Sequence, residues 1–192
     1  EQVERSIVFY SEDNFSIINF EPILTELTKK LGIQVCYLTS SPNDPMLTTE
    51  NKKIKAFYIG KGATRTKLFL TLKADVLVMT MPDLETFHIK RSKIYPVHYV
   101  HVFHSIVSSH MVYRKGAFDN FDSILCVGNH HIKEIREIER VYGLKPKNLL
   151  EHGYGLLDTL IKNYYSSSLR NNYNKKQVLI APSWGINALL ES

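Results

Sequence analysis

The sequence predicts an α/β domain, a Rossmann-like parallel sheet with helices on both faces. Short β-rich apolar runs recur along the 192 residues, and longer amphipathic runs separate them. The strand runs are apolar throughout rather than alternating, as expected for a sheet covered on both sides. With 44% hydrophobic and 22% charged residues the chain can build one packed core, which excludes a disordered tail, a collagen-like repeat and a disulfide miniprotein.

Residues 6–10 read as the first strand. Phe20, Ile23, Leu24, Leu27 and Leu31 then fall on one helical stripe, with Asn19 as its cap, Pro22 in its first turn and Gly32 as its stop. Residues 33–38, 54–59 and 75–80 read as strands two to four, with a helix over 63–73 between the last two. Residues 97–103 and 123–127 are strands five and six. In the helix that follows, Ile132, Ile135, Ile138 and Tyr142 form the apolar face, charged residues fill the rest, and Gly143 stops it. A short seventh strand is expected over 149–152 and a helix over 156–164. The first domain thus spans residues 1–165. The polar stretch 166–176 reads as a linker, and 177–192 as the opening of a second α/β unit, with a strand over 178–181 and a helix start at Ile186.

Lysine and arginine total 24 against 19 acids, for a net charge of +5. That surplus favours anionic partners without choosing among phosphorylated substrates, acidic lipid head groups and nucleic acid. Tyrosines sit inside apolar runs and no RNA-binding signature is present, so nucleic acid is not expected. Cys36 and Cys126 lie in apolar runs, as expected of buried reduced thiols in a reducing compartment. No apolar stretch approaches the ~20 residues of a membrane span, and no signal peptide opens the chain. The start at Glu1 rather than methionine fits a segment of a longer protein, whose upstream part could hold an anchor.

In open α/β sheets ligands gather at the carboxyl ends of strands, so polar residues just after strands are the candidates. His104 ends the run after strand five. It can accept a proton from an attacking hydroxyl, or it can cap the strand by bonding a backbone carbonyl. His98 and His101 lie on opposite faces of that strand and read as satisfied core or wall residues. Their parity forbids convergence on a metal with His104, and no metal is expected. Ser105, Arg114 and Lys115 follow in a hydroxyl-rich, basic stretch. There arginine and lysine can clamp phosphate oxygens or form a solvated turn. Glu12 and Asp13, directly after strand one, can bond sugar or glycerol hydroxyls or stand as a solvated acidic turn. The turn at Gly128-Asn129-His130 could offer backbone amides to an anion. Gly60-Lys61-Gly62 has neither Walker spacing nor the dinucleotide fingerprint, and no resident cofactor is expected. Serine-hydrolase elbows, Cys-x-x-Cys pairs and His-Glu-x-x-His helices are absent from the sequence.

Taken in order, the strand ending in His104, the segment from His110 to Asp122, the strand closing at Gly128, Gly153-Tyr154-Gly155-Leu156-Leu157-Asp158 and Ala181-Pro182-Ser183-Trp184-Gly185 resemble a known family. It is the CDP-glycerol glycerophosphotransferase family, the teichoic-acid primases and polymerases of bacterial envelopes and their capsule or O-antigen relatives. The resemblance implies the amino-terminal, acceptor-side half of a GT-B fold, with the CDP-linked donor held mainly by a second domain. It implies His104 as base, with Ser105 and Ile106 standing where the family has glycine and threonine. It also implies substrate-binding roles for Gly153, Tyr154 and Asp158, with Gly155 and Leu156 in place of the family's proline and arginine. The expected activity is transfer of an alditol-phosphate to a lipid-linked saccharide or polyol-phosphate acceptor. The expected location is the inner, cytoplasmic face of a bacterial membrane, held peripherally on anionic lipid. A GT-B sugar transferase, a UDP-sugar epimerase-like enzyme and a non-catalytic docking module that binds membranes or partners are the alternatives.

Overall fold

A computed structural model describes residues 6–166 and Val178. The expected linker and second-unit start lie, Ser166 and Val178 aside, outside the described residues. The chain divides into two compact units, Glu1–Thr159 and Leu160–Ser192, and the first holds the whole sheet.

That sheet has seven strands, all parallel, in the order β3-β2-β1-β4-β5-β6-β7. The strands are β1 (Ile7–Ser11), β2 (Val35–Thr39), β3 (Ile54–Tyr58), β4 (Val76–Met79), β5 (His98–Val102), β6 (Ser123–Cys126) and β7 (Asn148–Glu151). The helices are α1 (Ile17–Thr25), α2 (Ala63–Leu70), α3 (Ser109–Val112), α4 (Asn129–Tyr142) and α5 (Gly155–Ser166). β1 through β3 run outward to one edge and β4 through β7 to the other, so the order reverses between β1 and β4. There the chains leaving the two strands part to opposite sides and leave a crevice at the carboxyl ends, the usual ligand position of a doubly wound sheet.

Alternation along each strand divides the core into two faces. Val8, Tyr10, Leu77, Met79, Tyr99 and Ile124 pack on one face with Phe69 of α2 and Ile135 of α4. Phe9, Tyr37, Val78 and Val102 pack on the other with Phe20 and Leu24 of α1. Each fully buried aromatic or branched side chain contributes about 1.5–3 kcal/mol, so both faces hold their helices firmly.

Several local expectations need correction. The helix expected from Phe20 begins at Ile17, and Ser16 rather than Asn19 stands at its cap position. Asp13 Oδ1 accepts from the backbone amides of Phe15 and Ser16, at 2.9 and 3.0 Å, and from Ser16 Oγ. Pro22 therefore lies inside α1, and the helix runs on as one π-turn, Glu26–Lys30, before Gly32. His101 is wholly buried, and among the described residues its ring nitrogens make no hydrogen bond of good geometry, the nearest polar neighbour being the Met81 backbone. Its ring packs among Phe103, Phe118 and Phe121, centroids 5.0–5.1 Å away, and burial pushes its pKa down to about 3. His98 is exposed rather than part of the core, its Nε2 2.7 Å from Ser123 Oγ. Cys36 and Cys126 are buried, and burial raises the Cys126 thiol to about 11. Among the described residues no helix is long and apolar enough to cross a membrane.

Candidate functional site

The crevice at the β1/β4 reversal is a cleft of about 490 Å³, within the range of small-molecule sites. Four segments build it. Glu12 and Asp13 leave β1, and Phe15, Ser16, Ile18 and Asn19 lead into and begin α1. Thr80, Met81 and Pro82 leave β4, His104 stands just past β5, and Leu156 comes from the first turn of α5. Register explains the convergence. Tyr10 pairs with Met79, and Met79 with His101, so the chain leaves all three strands at one level of the sheet.

His104 is exposed, while Phe103 beside it is buried and anchors the turn. The His104 carbonyl accepts from Tyr154 Oη at 3.3 Å, and its ring meets Tyr113 edge-on at 6.4 Å. The imidazole is thus placed by its backbone and by an aromatic wall, and it faces the cleft. Ser105 turns away and bonds Tyr113 Oη at 3.2 Å.

Across the cleft, Glu12 Oε1 receives Arg65 Nη1 at 2.8 Å. Arg65 is 3% exposed and also donates to Tyr10 Oη at 3.0 Å, which in turn lies 3.0 Å from Ser40 Oγ. Glu12 is therefore a positioned carboxylate, unlike a freely solvated turn residue. Ser16 links Asp13 to Thr80, whose Oγ1 donates to Ser16 Oγ at 3.2 Å. Asp13 folds the turn ahead of α1, its Oδ1 held by the Phe15 and Ser16 amides.

The other candidates lie elsewhere. Arg114 pairs with Asp83 through its Nε and stacks its guanidinium 5.0 Å from the Phe87 ring centroid. Lys115 Nζ rests 4.0 Å over the Tyr142 ring. Both line a second cavity of about 160 Å³ with Tyr142, Ile138 and Lys147, between the 113–119 turn and α4. Tyr113 separates the two sites, touching His104 with its ring edge while lining the second cavity. Gly153 takes a left-handed conformation (φ 87°) that turns the chain so Tyr154 reaches the His104 carbonyl, whereas Asp158 is exposed in the first turn of α5. Gly155 has a steric reason to lack a side chain: a Cβ there would come 2.7 Å from Pro22 Cγ.

No family model, curated protein or solved structure matches the chain.

Ser108, His110 and Glu134 invite reading as a nucleophile relay, but the geometry refuses it. Ser108 Oγ and Glu134 both approach His110 Nδ1, at 2.9 and 3.8 Å, so no carboxylate holds the opposite nitrogen while Nδ1 takes a serine proton. Ser108 is instead the cap of α3, and Ser109 gives both its amide and its hydroxyl to Glu134 at 2.6 Å. Among the described residues no group of three or more histidine, cysteine, aspartate or glutamate side chains is arranged to hold a metal ion. What the main cleft can do is narrower: one exposed imidazole can take a proton, and one fixed carboxylate can accept hydrogen bonds. Sequence reasoning missed Arg65, Thr80, Met81, Pro82 and Leu156. The residues after β4 satisfy the same after-the-strand rule that singled out His104, and Arg65 shares the inward face of α2 with Phe69, one turn later.

Proposed function

We propose that this chain is the acceptor-side domain of a glycerophosphotransferase-like enzyme of cell-envelope polysaccharide synthesis. It moves an alditol-phosphate from a CDP-linked donor to a hydroxyl of a membrane-linked saccharide or polymer. The observation that carries the reading is His104, exposed at the β1/β4 cleft with its backbone held by Tyr154. The neutral imidazole takes the proton of the acceptor hydroxyl as that oxygen bonds the phosphorus bearing the alditol. The bond from that phosphorus to the bridging oxygen breaks, and cytidine monophosphate departs with the oxygen. The donor belongs mainly to a second domain, in keeping with a cleft whose described lining holds no lysine or arginine. Ile106, Met111 and Val112 stand exposed shortly after His104, an apolar lip suited to an acceptor presented from a membrane surface.

The test is donor turnover by the complete natural protein that contains this chain. CDP-linked alditols are expected to be consumed, UDP-sugars left untouched, and His104→Ala to remove most turnover while the circular dichroism spectrum stays unchanged. Turnover of UDP-sugars alone would move the protein to the sugar-transferase reading. Near-normal turnover by His104→Ala would take the imidazole out of the chemistry.

A further inference from the structure

Resting on the reading of His104 as the base, we infer that His131 is a positioning residue for the same reaction. From the first turn of α4 it pins the segment that carries His104 and so aims that imidazole into the cleft.

The segment needs such support because little else holds it. Residues 103–108 belong to no helix or strand, and Ile106 and Val107 are exposed, so burial does not order the turn after His104. Among the described residues, two carbonyls of His104–Val107 accept hydrogen bonds. Tyr154 Oη donates to that of His104 at 3.3 Å, and His131 Nε2 to that of Val107 at 2.8 Å. Ser105 adds a side-chain bond, to Tyr113 Oη. The Tyr154 bond is the longer and lies at the surface, whereas the His131 ring is wholly buried. Water competes less for the buried donor, so His131 is the firmer of the two anchors.

The same ring grips the segment on both sides of His104. Its face stacks on Phe103, the residue before His104, with centroids 3.9 Å apart and planes 31° from parallel. Its Nδ1 accepts from the Val127 amide at 3.4 Å, where the chain leaves β6, the neighbour of β5 in the sheet. These bonds dictate the tautomer. An amide N–H can only donate, so Nδ1 is bare and the one proton of the neutral ring sits on Nε2, where the Val107 carbonyl needs it. Burial favours that neutral form and lowers the pKa of His131. The His130 charge acts in the same sense, while the Val107 carbonyl and Glu134 oppose it. His101 also lies within electrostatic reach. His131 does not line the cleft, so it acts through His104 and is not itself catalytic. A base displaced by about 1 Å can lose about 10²-fold in rate, which is the leverage such a contact holds.

The experiment has a spectroscopic arm and a kinetic one. Nitrogen NMR of the intact chain, with no substrate present, should find the His131 proton on Nε2 at neutral pH. His131→Phe keeps a ring against Phe103 but removes both nitrogens, and should shift and broaden the His104 ring signals. His131→Gln, whose amide can donate to the Val107 carbonyl, should bring them back toward the natural spectrum. In the complete natural protein, His131→Phe should lower kcat at least about tenfold and leave KM for the CDP-linked alditol within about twofold. His131→Gln should recover most of that loss. Ile124→Val, which weakens the core elsewhere, should leave kcat within about twofold, so lost stability alone does not mimic the effect. Should His131→Phe not fold, His131→Asn against His131→Gln decides, because asparagine ends at the Nδ1 position, short of Val107, and should behave as the phenylalanine does. A proton on Nδ1, His104 signals indifferent to His131, unchanged kcat, or a glutamine variant no better than asparagine would each overturn the inference. Absent turnover with His104 signals that still answer to His131 would sink the proposed reaction alone. Turnover that ignores His131 would sink this inference alone.

Discussion

The two cavities that flank Tyr113 share a strip of sequence but not a chemistry. His104 and Lys115 are eleven positions apart, yet one faces an acidic cleft and the other closes a small basic cavity against α4. The first is gathered from four separate segments at the carboxyl ends of the strands, and its polar side chains are aimed inward by buried partners. At the second, the charged groups are engaged with the scaffold around it rather than turned into the cavity. Glu139, 5% exposed, accepts from Arg136 at 2.6 Å and from the Lys147 amide at 2.8 Å, while Arg114 is spent on Asp83. The lesson is that positive charge near a candidate base in the sequence does not make a phosphate clamp. Here the cations brace the scaffold.

That division can be broken by substitutions that separate chemistry from stability. The largest effect belongs to the cleft: His104→Ala should lower turnover of the complete protein by about 10²–10⁴-fold without moving its melting temperature. The next belongs to the brace. Glu139→Ala leaves the Lys147 ammonium interior without its counter-charge and its amide without an acceptor, and should cost about 3 kcal/mol in chemical denaturation. If Glu139→Ala instead spares stability but abolishes turnover, the second cavity is chemical and the comparison fails.

Acid sharpens the same contrast. Burial holds the folded pKa of His101 near 3, and the ring takes up a proton readily only in the unfolded chain, at its ordinary value near 6.5. The unfolded state therefore binds more protons between these limits. The contribution of His101 is intact above pH 6.5 and is lost as pH falls toward 3, by about 2 kcal/mol between pH 6.5 and 5. His131, lowered by burial as well, adds to the slope. His101→Leu should flatten the dependence of unfolding free energy on pH over that interval, and an unchanged slope would mean the ring is protonated in the fold. The smallest effect is expected from Arg114→Ala and Lys115→Ala, which should leave turnover within about twofold because neither reaches the cleft. A loss comparable to that of His104→Ala would return them to the site.

Much of the architecture was legible because it rests on local pattern. Seven apolar runs, their separation by amphipathic segments and the stops at Gly32 and Gly143 give the sheet and most helices within a few residues. The start of α1 was misplaced because Asp13 folds the turn 13–16 through its bonds to the Phe15 and Ser16 amides, so the helix opens three positions earlier than the apolar stripe suggests. His104 and Glu12 were recognisable from their places after β5 and β1. The partnership of Glu12 with Arg65 was not, since 53 positions separate them and only the meeting of α2 with the end of β1 joins them. Arg114 and Lys115 were misplaced for the converse reason: nearness along the chain says nothing about the side of Tyr113 on which a side chain emerges.

The want of a methyl group at Gly155 has a reach beyond its own contacts. Because α5 begins flush against Pro22 of α1, any larger residue there must push one helix off the other. Leu156 and the Tyr154 hydroxyl would travel with it, one out of the cleft wall and the other off the His104 carbonyl. The His104 turn is thus tied to the close fit of Gly155 against Pro22, and a larger residue at 155 would loosen the hold of Tyr154 on it.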